Sequence, residues 1–124
     1  MGRDVPPQPE NERRLREICL ALPEATEEET WGAPTYRVRG KIFAMQRTDE
    51  RGLSMWCKAP PGVQELLVNA EPERYFVPPY VGHHGWIGVR LDNGADWDDV
   101  EDLITDSYHL TAPKRLVARL SEPA

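Results

Sequence analysis

Cysteine is scarce in this sequence: Cys19 and Cys57 are the two in 124 residues. That is too few for a disulfide scaffold, so an apolar core must hold the fold unaided. No apolar run approaches the roughly 18 residues that a membrane span requires, and mean hydropathy is -0.61. Met1 to Pro9 has no apolar segment of the kind a signal peptide carries, so a cytoplasmic protein is expected. The catalytic signatures are missing too: no G-x-S-x-G elbow, no G-x-x-x-x-G-K-[ST], and no G-x-G-x-x-G after a strand. No C-x2-C or H-x3-H pair offers zinc its ligand spacing. The expectation is a protein that is not an enzyme and holds no metal or cofactor.

What is present is ordinary globular material, 40% apolar and 29% charged, in a length suited to one domain. Pro6, Pro7 and Pro9 make residues 1 to 10 a flexible, extended arm. Residues 11 to 124 then form the single domain. From Asn11 to Leu22, Leu15, Ile18, Cys19 and Leu22 fall on one helical face, and Pro23 stops the helix. Between Thr26 and Lys58 the rhythm is that of strands. Tyr36–Arg39 and Lys41–Arg47 join tightly at Arg39-Gly40, and a turn over Asp49-Glu50-Arg51-Gly52 leads into Leu53–Lys58. A short helix opening at Pro60-Pro61 has Val63, Leu66, Leu67 and Ala70 as its stripe. Two further strands, Tyr75–Val77 and Trp86–Leu91, flank a loop from Pro78 to Gly85. Asp96 caps a helix whose inner stripe is Trp97, Val100, Leu103, Ile104 and Tyr108. Pro113, at the first helical position, starts a last helix packing through Leu116, Val117 and Leu120. The pattern is α+β: one antiparallel sheet in a single two-layer domain, with helices on one face.

Charge is unevenly spread over a net of -6. Arg37, Arg39, Lys41, Arg47, Arg51 and Lys58 outnumber Asp49 and Glu50, giving that stretch +4 and the remainder -10. Clustered cations of this kind suit phosphate contact, whereas a solvated strand face would carry the same residues. The overall acidity works against non-specific nucleic-acid binding. Asp92 to Asp106 holds seven acids and no Lys or Arg, which reads as a solvated helix face, since the fixed oxygen spacing of a calcium loop is absent. Cys57 stands beside Lys58, a cation able to lower a thiol's pKa. Its alternation with Leu53 and Met55 points it into the core instead. His83 and His84 are adjacent, a poor arrangement for chelating one ion. Trp31, Trp56, Tyr80 and Trp86 stand in or beside loops and strand ends, outside the clean core stripes. Large amphipathic rings there serve equally as partial core or as a stacking or peptide patch, bordered by Arg37, Lys41 and Lys58.

Several stretches resemble the MmcQ/YjbR family of small bacterial proteins. They are Leu22-Pro23 with Thr26-Glu27-Glu28-Glu29, then Gly32-Ala33-Pro34, and the hairpin Tyr36-Arg37-Val38-Arg39-Gly40-Lys41-Ile42-Phe43-Ala44. Cys57-Lys58, Gly85-Trp86-Ile87-Gly88-Val89-Arg90-Leu91-Asp92 and Asp106-Ser107-Tyr108 follow in order, so the resemblance spans residues 13 to 120. It implies a two-layer α+β fold similar to that of secretion chaperones, and DNA binding through a double-wing motif. One departure is local: many members have Lys-His-Trp where this chain has His84-Gly85-Trp86, which removes a cation from that loop. The expected binding residues are therefore Arg37, Arg39, Lys41, Lys58, Tyr80, His83, His84 and Trp86. Their partner is nucleic acid, or else a protein held by an adaptor or a small ligand held between sheet and loop.

Overall fold

Leu15, Ile18, Cys19 and Leu22 set the first element of the computed structural model, which describes residues 9–50, 52–92 and 94–120. Helix α1 (Pro9–Leu20) turns Leu15 and Cys19 fully inward, with Ile18 and Leu22 packed at their margin. It starts two residues before the expected Asn11, taking Pro9 and Glu10 from the arm, and ends two before Leu22. The rest of that arm, like Arg51 in the basic stretch, lies outside the described residues.

Four strands follow as an antiparallel meander: β1 (Thr26–Thr30), β2 (Ala33–Val38), β3 (Lys41–Asp49) and β4 (Gly52–Cys57). β1 was not expected as a separate strand. Its Thr-Glu-Glu-Glu-Thr sequence has no inward alternation, because it is an edge strand exposed on both faces. β2 begins at Ala33, three residues before the expected start at Tyr36, since pairing with β1 extends it. Helix α2 (Val63–Ala70) comes next. Gly62, with φ of 85°, caps it in place of a proline-opened first turn. Leu66 and Ala70 of the expected stripe face solvent; Val63, Leu67 and Val68 pack instead. β5 (Tyr75–Phe76) and β6 (Ile87–Arg90) complete the sheet in the order β1-β2-β3-β4-β6-β5. Both are shorter than expected, with Val77, Trp86 and Leu91 outside the ladder.

Helix α3 (Trp97–Thr111) lies across β3 and β4. The Asp96 side chain accepts from the amides of Asp98 and Asp99, as its capping position requires. Val100, Leu103, Ile104 and Tyr108 are buried against the sheet, and Tyr108 meets Phe43 edge to face at 5.5 Å. Helix α4 (Lys114–Arg119) adds Leu116; Pro113 is its extended N-cap and not its first helical residue, with ψ of 152°.

A bulge governs which side chains reach which face. Tyr36 pairs with Ala44 and Arg37 with Ile42, so Phe43 is an extra residue in β3. Phe43 and Ala44 therefore both join the helix-side core, while Ile42 and Met45, three apart, meet on the opposite face. The bulge leaves Phe43's carbonyl outside the ladder, and Ser107 of α3 satisfies it. The buried Ser107 Oγ donates to that carbonyl at 2.6 Å and accepts from the Lys58 amide at 2.9 Å. The helix side is thus a closely packed core that includes both free cysteines.

Candidate functional site

Among the described residues, the other face of the sheet carries no α-helix. In β4, Leu53, Met55 and Cys57 point to the core, so period-two alternation sends Trp56 the opposite way. There Trp56 packs with Met45 and Trp86, and Ile42, Phe76 and Val81 surround the three. Gly88 makes room for this layer. It pairs with both Trp56 and Phe76, and a Cβ on it would lie 2.3 Å from the Phe76 ring.

Above the layer is a cavity of about 510 Å³, within the size range of small-molecule sites. Its floor is Ile42, Met45 and Trp56; Val81 and Trp86 form one wall. Trp31, 74% exposed, and Tyr80, 85% exposed, stand at its margin. Among the described residues Arg47 is the one charged residue lining it, and its guanidinium lies over the Trp56 ring, 5.0 Å from the centroid. Among the described residues Arg47 has no ion pair.

Two features of this lining run against stability. Trp31, at the β1–β2 turn, has φ of 54°, and Tyr80 has φ of 69°. A bulky side chain on left-handed backbone costs roughly 1 kcal/mol or more, and neither ring recovers it by burial. The second is the Nε1–H of Trp56. The residue is 6% exposed, the nitrogen is fully buried, and among the described residues it has no acceptor. Leaving a buried donor unpaired costs about 1–3 kcal/mol.

The loop carrying Tyr80, Val81 and Trp86 is fastened from behind. Gln64 of α2 donates through Nε2 to the carbonyls of Gly82 at 2.8 Å and Trp86 at 2.6 Å. Gly82 sits so close beneath Val77 that a Cβ would meet that side chain at 2.4 Å.

The residues expected to form one site are divided by the fold. Tyr80 and Trp86 line the cavity. His83 and His84, in a 3₁₀ turn with rings 3.9 Å apart, line a separate hollow with Pro60, Pro61 and Gln64. Arg37 is held by Thr30, Thr35, the Gly40 carbonyl and Glu28. Arg39 is bound through two nitrogens to Glu24, at 2.7 and 3.1 Å. Lys41 is exposed, and Lys58 is half-buried, its amine pulled below the usual lysine range by burial and then by Lys41. None of these four cations lines the cavity. Burial, with nearby Asp106, pushes the Cys57 thiol far up, so Lys58 does not activate it.

In the sequence Arg47 is one member of the basic stretch, and no local pattern assigns it, Met45, Ile42 or Val81 to a site. The parity of β4 was the available signal, because inward Met55 and Cys57 require an outward Trp56.

Fold and cavity together define an α+β protein with a sheet covered by helices on one face and an aromatic hollow on the other. The crystal structure of Deinococcus radiodurans protein DR2400, a DUF419 domain, shares this fold. Its TM-score is 0.72 over 88% of this chain and 86% of that one, at 22% identity. The YjbR family model matches residues 20–110, a span that includes the whole cavity, and the chain belongs to the YjbR family. Its relatives include the uncharacterized proteins Rv2570 of Mycobacterium tuberculosis and Mb2600 of Mycobacterium bovis. Each is 31% identical over 98 aligned positions, covering 66% of this chain and 75% of the relative.

Proposed function

We propose that this protein is a non-enzymatic, cytoplasmic binding module that takes a small apolar ligand between the open sheet face and the Tyr80–Trp86 loop. One observation carries the reading. Four aromatic residues from separate segments, Trp31, Trp56, Tyr80 and Trp86, converge on one cavity, two of them on backbone conformations that oppose their presence. Energetic cost without structural return is the usual mark of a functional surface. The non-enzymatic part draws on the lining, where among the described residues Arg47 is the one titratable side chain apart from the Tyr80 phenol, and on the burial of both thiols.

The test is titration of a neutral, environment-sensitive dye, N-phenyl-1-naphthylamine. Binding at about one site is expected, with affinity falling about tenfold in Tyr80→Ala, a ring too exposed to matter for folding. Absence of saturable binding would defeat the reading.

DNA binding through the basic hairpin is the second reading. Its support is Lys41 and Lys58, near enough to repel each other and without ion pairs among the described residues. Arg37 and Arg39 weigh against it, because acids and carbonyls of the same chain already hold them. Affinity for duplex DNA at about 50 mM salt, falling steeply with added salt and lost in Lys41→Ala/Lys58→Ala, would support this reading over the first.

A further inference from the structure

The cavity's lining is not neutral toward charge. Among the described residues its single ionic group is a guanidinium, and no carboxylate lines it. Arg47 lies over the Trp56 ring, 5.0 Å from its centroid, and has no ion pair among the described residues to offset its charge. Around the guanidinium the surface is aromatic and aliphatic. Indole and phenol faces alone would welcome a cation, but a fixed guanidinium at the same wall repels one. The planar fork of arginine matches the two oxygens of a carboxylate or sulfonate, and the bond strengthens where water is excluded.

We infer that the ligand is an organic monoanion: a flat, apolar acid whose rings lie among Trp31, Tyr80 and Trp86. Its acidic group pairs with Arg47. This rests on the small-ligand reading above and adds the sign of the charge. It also separates the ligand from nucleic acid, since one guanidinium in an apolar cavity fits one acidic group better than a run of phosphates.

The experiment compares two dyes with one ring system. 1-Anilinonaphthalene-8-sulfonate is N-phenyl-1-naphthylamine with an added anionic group, and both brighten in apolar surroundings. The sulfonate is expected to bind about tenfold more tightly than the neutral dye. In Arg47→Gln the sulfonate should lose far more affinity than the neutral dye, bringing the ratio to about one, and Arg47→Lys should restore part of it. Trp31→Ala should weaken both dyes together, which places them in this cavity. Equal binding of the two dyes to the native protein, or a ratio untouched in Arg47→Gln, would overturn the anion assignment while leaving the cavity reading intact. Binding of neither dye would overturn both, and a protein that then sediments as a dimer would assign the cavity to a second copy. Displacement of the sulfonate by oligo-dT at the concentrations that displace it with naphthoate would overturn the small-acid assignment in favour of single-stranded nucleic acid.

Discussion

The two faces of one sheet obey different rules. On the helix side, Leu15, Phe43, Met55, Ile104 and Tyr108 are buried to completion, and even the bulge carbonyl of Phe43 has its donor. On the open side, three buried residues form a thin layer, a buried indole N–H has no acceptor among the described residues, and two large rings stand exposed on left-handed backbone. The same strands supply both faces, so the contrast does not come from strand propensity. It comes from what each face packs against. One face is finished by α1, α3 and α4; on the other, among the described residues, polar and apolar groups are left without such a cover.

The contrast is most severely tested on the helix side. Phe43→Ala removes the T-shaped contact with Tyr108 and opens a cavity at the bulge, with an expected loss of about 3–5 kcal/mol in urea unfolding. A loss below about 1 kcal/mol would mean that the helix side is no more tightly built than the open side.

A second test uses pH. Burial raises the thiols of Cys19 and Cys57 above their ordinary value of 9.0, and it raises the Tyr36 hydroxyl as well. The native chain therefore keeps protons that the unfolded chain releases above pH 9. Stability is full below that value and falls as pH rises past it, by about 1.4 kcal/mol per pH unit for each thiol. Urea midpoints from pH 7 to 10.5 read this slope. It should flatten in a Cys19→Ala/Cys57→Ala variant measured against its own value at pH 7, and an unaltered slope would show that the thiols are not sealed in the core.

The smallest effect belongs to the open side. Trp31→Gly relieves a left-handed tryptophan and should change stability by no more than about 1 kcal/mol, in the stabilising direction, while dye binding weakens. A large destabilisation would make Trp31 a structural residue and erase the distinction between the faces.

Much of the helix side was legible in the sequence. Leu15, Ile18 and Cys19 at helical spacing, the Asp96 cap and the Val100–Tyr108 stripe each encode a local rule in one segment. The open side was legible only in part. Trp31, Trp56, Tyr80 and Trp86 were conspicuous as aromatics outside the stripes, but their convergence depends on the Phe43 bulge. An extra residue has no signature in a run of apolar letters, so strict alternation would keep Ile42 and Met45 apart. The division of the basic hairpin was equally hidden. The partners of Arg37 and Arg39 come from β1, the edge strand whose all-polar sequence conceals it, and from the turn before it. His83, His84 and Trp86 were grouped because they are close in the chain; the 3₁₀ turn sends the histidines and the tryptophan to different hollows.

The arrangement of β1 has a further consequence. An open sheet ends in two rims, where unsatisfied amides and carbonyls can recruit a strand from another molecule and begin aggregation. Here one rim is β1, with Glu27, Glu28 and Glu29 in succession, so an incoming copy would set three negative charges against three more. The other rim is β5, two residues long and followed within two residues by Pro78-Pro79, which have no amide hydrogen to offer. Charge guards one end and brevity the other, so both rims are poor templates for strand addition beside the exposed aromatic rings.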